Sequence, residues 1–363
     1  MIWYLLNILI ITIAYLWPSR QTNERSFTDV PKATRKRVCI VGSIGWIILS
    51  GLRHLEIGAD TKAYKLYSFD IVDRISWESA FQNVYDKYIL GYEIKDPGYD
   101  IIEKLVRVFT DEYQVFLTLI AILFFTAMGV FIYKLSSNPY ISYVLFSALF
   151  YSFFAITGHR QTIATAIVVL LGTYLIKKKK FISFLIITVL ASTVHISCLC
   201  FIPFYFISKI KINKATLLMY WVGIIGAFVF RYQLLSFLQS IIGYEDYQDY
   251  EGAGAGTFLY LLLAIGLIVS FFHKNLLEGE NKGVVRISIN ALMLACFFSP
   301  LLLINQSAMR LVQYFSLFLM IILPEVAKIF SKRNDKTVYT MVVTGALVGL
   351  LILNNPTYKF FWQ

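Results

Sequence analysis

Positively charged side chains stand at the ends of several apolar segments of the chain. These side chains are Arg53, His159, Arg160, Arg231 and Arg310, and His195 lies in the middle of a further apolar segment. An arginine stays protonated at neutral pH, and its planar fork can bind two phosphate oxygens at once. Several of them around one cavity would suit a phosphate-bearing ligand. In the alternative interpretation, each arginine separately reaches lipid headgroups or pairs with a loop carboxylate.

The composition predicts that these residues belong to an integral membrane protein. Of the 363 residues, 58% are hydrophobic and only 15% are charged, whereas an ordinary soluble domain has about 25% charged residues. This excludes a cytosolic enzyme, a secreted disulfide-bonded protein and a nucleic-acid-binding protein. The net charge of +11 is attributed to the lysines and arginines that accumulate in cytoplasmic loops. The four cysteines lie in apolar segments and are interpreted as core residues, not metal ligands.

Apolar segments run along the whole sequence and predict an all-α, polytopic membrane protein, with a single transmembrane domain over residues 1–363. A helix needs about 20 apolar residues to cross a bilayer, so we expect about 10–12 transmembrane helices. The candidate segments are 2–17, 38–52, 113–134, 139–157, 160–176, 181–207, 215–238, 257–273, 286–304, 308–330 and 337–354.

The basic loops between these segments determine the expected orientation. If every strongly basic loop is cytoplasmic, the amino and carboxyl termini both lie outside. This orientation requires that residues 181–207 form a short helical hairpin that enters and leaves on the cytoplasmic side. A single span there would invert the orientation of every later segment. Each arm has about 13 residues, which is short for a full span. His195 lies near the apex of the hairpin.

Two polar segments are expected on the outer side. Residues 53–112 form a long insertion, in which the spacing of the apolar residues predicts amphipathic helices near 76–88 and 97–109. Residues 239–256 form an acidic loop that ends in a glycine-rich stretch. No Gly-Lys-Ser or Gly-Lys-Thr follows these glycines, so we interpret them as a flexible connection and not as a phosphate-binding loop.

Five short elements follow one another around the charged residues. They are Arg53-x4-Gly58-x-Asp60-x3-Tyr64, Asp96-Pro97-Gly98-Tyr99, His159-Arg160-Gln161, the hairpin residue His195, and Arg310-x3-Tyr314. In order and spacing, the set resembles the EpsG family of Wzy-type polysaccharide polymerases over about residues 45–320. The family pattern has a glutamate where this chain has Asp96, and the carboxylate is retained.

The resemblance implies a bacterial, multi-pass glycosyltransferase of the cytoplasmic (inner) membrane that uses no metal and no cofactor. Its donor and acceptor would be oligosaccharide repeat units carried on undecaprenyl diphosphate. The product would be O-antigen, capsule or exopolysaccharide, and the active site would face the periplasm or exterior. The implied partners are membrane lipid, a flippase and a chain-length regulator, and no nucleic acid is expected.

A mechanism follows from this resemblance and from the chemistry of the residues. The hydroxyl group of one lipid-linked repeat would attack the anomeric carbon of another and release undecaprenyl diphosphate. Arg160 and Arg310 would stabilise the leaving group, and His195 or Asp60 would be the base. The expected substrate-binding residues are Arg53, Glu56, Tyr64, Asp96, His159, Gln161, Arg231 and Tyr314.

Structural roles and rival functions are the alternatives. His195 could be a buried, hydrogen-bonded histidine, and Asp96 could shape the turn before Pro97. Asp60 could pair with Arg53 and fix the loop. The rival functions are an outer-face ligase or other lipid-substrate transferase, which would use the same residues, and a flippase or transporter. A transporter would show charges at the membrane midplane and an internal repeat, and the sequence shows neither.

Overall fold

The computed structural model describes residues 1–18, 30–242, 256–278 and 281–363, and it is 80% helical. No strand occurs among the described residues, so the all-α class is confirmed. Of the loop predicted over 239–256, residues 243–255 lie outside the described part of the chain. The α-helices, numbered along the chain, are α1 (Ile2–Leu16), α2 (Lys32–Gly51), α3 (Thr61–Tyr64), α4 (Trp77–Tyr85), α5 (Pro97–Arg107), α6 (Tyr113–Leu135), α7 (Pro139–Leu149), α8 (His159–Thr165), α9 (Gly172–Lys177), α10 (Phe181–Ser192), α11 (Phe201–Ile207), α12 (Lys214–Val229), α13 (Arg231–Ile242), α14 (Gly256–Phe271), α15 (His273–Leu276), α16 (Lys282–Phe298), α17 (Met309–Ser316), α18 (Leu319–Val326) and α19 (Arg333–Asn354).

Among the described residues, four helices are long and apolar enough to cross a membrane, or six spans if each of two bent pairs counts as one. The four are Tyr113–Leu135, His159–Lys177, Lys282–Leu303 and Arg333–Asn354, and the bent pairs are Lys214–Val229 with Arg231–Ser240 and Gln306–Ser316 with Leu319–Ile329. This is fewer than the expectation of about 10–12 spans. The other apolar helices have 10–17 residues, and irregular turns end some of them. For example, α7 gives way to a π-helix over Tyr151–Ile156.

Residues 181–207 form a helical hairpin. Its first arm is α10, and its second arm begins with a 3-10 turn at Ile196 and continues as α11. The arms are antiparallel, because the rings of Phe181 and Tyr205 lie 4.9 Å apart at the open end. His195 has an extended backbone and stands at the closed end. The hairpin thereby presents a histidine at its tip.

The insertion between α2 and α6 folds onto the closed end of the hairpin. Its helices α4 and α5 begin within the two stretches for which amphipathic helices are expected. The Gly98 N–H donates to the Thr193 carbonyl oxygen at 2.8 Å, and the Tyr88 hydroxyl donates to the Ser192 carbonyl oxygen at 2.7 Å. A Cβ on Gly98 would lie 2.1 Å from Thr193 Oγ1. Glycine is therefore required for this close approach.

The two chain ends meet beside the start of the insertion. The Phe361 N–H donates to the Leu52 carbonyl oxygen at 3.0 Å, which joins the carboxyl-terminal segment to the end of α2. The amino group of Met1 contacts the carbonyl oxygen of Pro356. The two termini and the insertion consequently lie at the same end of the helix bundle.

Candidate active site

A cavity of about 420 Å³ lies where the insertion meets the hairpin apex and the beginnings of α8 and α17. Seven of the residues singled out in the sequence line this cavity. They are Asp60, Tyr64, Asp96, Arg160, Gln161, His195 and Arg310. The fold therefore brings four distant parts of the sequence into one enclosure.

Asp96 is the central residue of the polar wall. Its Oδ2 atom lies 3.3 Å from His195 Nδ1 and 3.3 Å from Arg160 Nη1, and its side chain is only 5% exposed. The Asp96 backbone is left-handed, with φ 45° and ψ 54°, a region in which aspartate is enriched over most residues. The Asp96 side chain does not cap α5. It is instead held between the histidine and the arginine.

The ionisation of Asp96 determines what His195 can do. Burial raises the pKa of Asp96, but the hydrogen bond and the charge interaction with His195, together with the positive charge of Arg160, outweigh it, so the pKa lies below its ordinary value. An ionised carboxylate only accepts hydrogen bonds, so His195 Nδ1 carries the proton of this bond. His195 Nε2 is buried and has no hydrogen-bond partner among the described atoms. In a neutral ring, Nε2 then has a lone pair that can accept a proton.

Arg160 is fixed by aromatic rings as well as by Asp96. Its guanidinium carbon lies 5.0 Å from the ring centroid of Tyr99 and 5.4 Å from that of Tyr64, within the range of cation–π attraction. The next residue, Gln161, donates from Nε2 to the Arg310 carbonyl oxygen at 2.7 Å. The start of α8 is thus joined to the start of α17, and the two arginines of the cavity are held in one framework.

Arg53 and His159 lie behind the cavity and do not line it. Arg53 is 2% exposed, and it donates to His159 Nε2 at 2.7 Å and to Thr61 Oγ1 at 3.4 Å. The His159 ring stacks on the ring of the cavity residue Tyr64, with centroids 4.5 Å apart. These contacts support the wall from behind. Asp60, considered above as a partner for Arg53, lines the cavity instead.

Three of the expected binding residues lie away from the cavity. Glu56 is exposed and pairs with Lys359 Nζ at 3.2 Å. Arg231 stands at the 88° bend between α12 and α13 and donates to a backbone carbonyl oxygen of α12 at 2.9 Å. The Tyr314 hydroxyl lies 3.0 Å from Ser197 Oγ. Tyr314 therefore connects α17 to the hairpin.

The wall also contains residues that the sequence reasoning missed. Ser68 and Lys95 line the cavity, and Ser68 Oγ donates to Glu103 Oε2 at 2.6 Å. Glu103 is fully buried, and burial raises its pKa to about 8. One signal in the sequence points to Glu103. It stands four residues after Tyr99, so it shares a helix face with the last residue of the Asp-Pro-Gly-Tyr element.

The charges that line the cavity have a positive sum. Two carboxylates, Asp60 and Asp96, accompany three cations, Lys95, Arg160 and Arg310. Such an enclosure attracts an anionic ligand, and its guanidinium groups match phosphate oxygens. Within the described residues, no group of three or more His, Cys, Asp or Glu side chains is placed to hold a metal ion.

Comparison with known proteins adds a family assignment to this geometry. The model of the EpsG family matches residues 37–362, which is nearly the whole chain. This match confirms the resemblance based on the five short elements. No curated protein and no solved structure matches the chain.

Proposed function

Because the chain belongs to the EpsG family, a family of Wzy-type polysaccharide polymerases, we propose that it is a membrane-embedded glycosyltransferase. Its donor and acceptor are oligosaccharide repeat units linked to undecaprenyl diphosphate, and it joins them at the outer face of the bacterial cytoplasmic membrane. The observation that carries the proposal is the convergence of Arg160, Arg310, His195 and Asp96 on one cavity. Such a cavity combines anion-binding groups with a base.

The proposed reaction is a single group transfer. The terminal hydroxyl oxygen of the acceptor attacks the anomeric carbon of the donor. The bond from that carbon to the diphosphate oxygen breaks, and its electron pair leaves with the diphosphate. The hydroxyl proton passes to the base. The products are a longer lipid-linked glycan and undecaprenyl diphosphate, so no nucleotide sugar is required.

His195 is the better of the two candidate bases. The Asp96 carboxylate accepts a hydrogen bond from Nδ1, which orients the ring and stabilises the imidazolium that forms when Nε2 takes the proton. A positioned general base accelerates such a step by about 10²–10⁴-fold. Asp60 lines the same cavity and in this mechanism binds hydroxyl groups of the sugar.

Arg310 and Arg160 stabilise the leaving diphosphate. Preorganised cations at the position where negative charge develops lower the barrier more than they lower the energy of the bound substrate. Arg160 also pairs with Asp96 at 3.3 Å, so its charge acts on both the carboxylate and the ligand. We therefore assign the leaving-group stabilisation to both arginines.

The helix His159–Lys177 supports the proposed orientation in the membrane. It begins at the cavity and ends at the first of four consecutive lysines, residues 177–180. The span has nineteen helical residues, of which Ala166–Leu171 are π-helical. At the α-helical rise they would extend about 28 Å, which is close to the thickness of a bilayer core. Since lysines favour the cytoplasmic side, this helix supports an outer position for the cavity. A flippase would deliver the lipid-linked repeats there, and a chain-length regulator would act on the same side.

The experiment is a gel of the surface glycan from cells whose chromosomal copy carries Arg310→Ala. Blotting of the membranes checks the amount of protein. We expect the polymer ladder to disappear while single repeat units are still formed and displayed. Arg231→Ala is the matched control, because Arg231 lies outside the cavity, and its ladder should persist.

Two other outcomes would contradict the proposal. Loss of even the single unit from the surface would assign the protein to flipping or to ligation. An unchanged ladder at a normal protein level would remove Arg310 from the site.

A further inference from the structure

An apolar groove adjoins the cavity at Arg310, which lines both. Leu235 and Leu238 of α13 contribute to its wall, together with Leu301 and Leu311 from the segment around the start of α17. The exposed surface of the groove is almost entirely apolar, whereas that of the cavity is about half polar. A single arginine thus stands at the boundary between a polar and an apolar enclosure.

The position of α13 places this groove at the surface of the protein. α13 leaves α12 at an angle of 88° and packs against the turn Ser299–Leu303. Its residues Tyr232 and Phe237 are each 61% exposed, as is usual for a helix face in contact with lipid tails. The groove therefore lies between the protein interior and the surrounding hydrocarbon.

We propose that this groove binds the first isoprene units of the polyprenyl chain of the substrate, next to the diphosphate. This inference rests on the proposed function and deepens it. The substrate joins a sugar to a branched hydrocarbon through a diphosphate, so its site must place an anion-binding group between a polar cavity and an apolar groove. Arg310 occupies that place.

One further observation favours this lipid over a membrane phospholipid. The cavity on the other side of Arg310 has a volume of about 420 Å³, which leaves space for sugar residues beyond the diphosphate. The groove also contains Asn305 and Ser307 near Arg310 in the sequence, and the Ser307 N–H donates to Asn305 Oδ1 at 2.8 Å. This capped turn orders the segment that leads to the arginine.

The test is photolabelling of the full-length protein in liposomes with a polyprenyl diphosphate that carries a photoreactive group in its first isoprene units. We expect the label on peptides of α13 and of residues 299–311, and we expect unlabelled polyprenyl diphosphate to compete while phosphatidylglycerol does not. Leu238→Trp fills the groove and should reduce the labelling about tenfold, since the loss of contacts to about two methylene groups changes affinity by that factor.

The matched control is Leu218→Trp, at a leucine of α12 that is 65% exposed and does not line the groove. Its labelling should equal that of the wild type. If Leu238→Trp fails to fold, Leu235→Trp provides the same test. Equal competition by phosphatidylglycerol, or labelling that is unaffected by both groove variants, would overturn the proposal.

Polymerisation of lipid-linked repeat units is measured in the same liposomes, which separates the two proposals. Labelling of the groove without polymer would retain the groove and refute the proposed function. Polymer formation without labelling of the groove would refute the groove and retain the function.

Discussion

Replacement of Glu103 by glutamine is expected to remove a pH dependence from the stability of the protein. Burial raises the pKa of Glu103 to about 8 from an ordinary value of 4.5, so the unfolded chain ionises at a lower pH than the folded protein does. Stability from this group is fully present below pH 4.5. This stabilisation is lost as the pH rises towards 8, and at higher pH the free energy of unfolding levels off.

The two pKa values of Glu103 determine the size of this effect. One pKa unit corresponds to about 1.4 kcal/mol. With the folded and unfolded values given above, the free energy of unfolding falls by about 2 kcal/mol between about pH 6 and about pH 8. Above pH 8 the further loss is only a few tenths of a kcal/mol, because both states are then ionised. The glutamine variant has no titrating group at this position and should follow a flatter curve.

The assay is denaturant unfolding of the purified protein in detergent at several pH values. The control is Glu93→Gln, because Glu93 is exposed, and its curve should parallel that of the wild type. Ser68→Ala removes a hydrogen bond that lowers the pKa of Glu103, so the fall in stability should begin at the same pH, continue to a higher pH and be larger. Parallel curves for the wild type and Glu103→Gln would refute the assignment of a buried, largely neutral carboxyl group.

Two further substitutions test the contacts that build the site. Asp96→Asn preserves the shape but removes the charge that orients His195, so we expect the rate of polymerisation to fall about 10²-fold or more in a liposome assay with lipid-linked repeats. A wild-type rate would exclude His195 as the oriented base. Gly98→Ala introduces a Cβ 2.1 Å from Thr193 Oγ1 and should cost about 1–3 kcal/mol of stability, seen as a lower denaturation midpoint. Gly345→Ala, in an exposed position of α19 where the new Cβ meets no atom within 4 Å, should not lower the midpoint and should raise it slightly, because alanine has the higher helix propensity.

The cavity could be anticipated because charged residues are conspicuous in an apolar chain. Arg160 and Arg310 lie at the ends of apolar segments, His195 lies in the middle of another, and Asp60 lies in the insertion that follows a fourth. At each of these places a polar side chain must reach an aqueous space or a partner. All four line the cavity. The sequence pattern does not say whether such a side chain reaches an aqueous space or a partner within the protein. Arg53 meets the pattern equally well, but it is buried by the insertion, which folds over the end of α2.

The number of membrane spans could not be obtained from composition. Hydropathy counts apolar residues, whereas the continuity of a helix depends on local hydrogen bonding that tertiary packing can change. After α7, for example, the chain becomes π-helical over Tyr151–Ile156 and turns at Gly158, with φ 66°. This irregular stretch divides one apolar segment and directs Arg160 to the cavity. The feature that reduces the span count is therefore also one that builds the site.

Asp96 couples the two chemical tasks of the cavity, since it contacts both the base and one of the arginines. A neutral amide at this position would leave Arg160 without its carboxylate partner, so the cavity would become more positive and bind the diphosphate more tightly. The same change would release His195 from its orientation. We therefore expect Asp96→Asn to lower KM for the donor together with kcat, whereas an arginine-to-alanine change in the cavity should raise KM. A substitution that only disturbed the structure would not lower kcat and KM together.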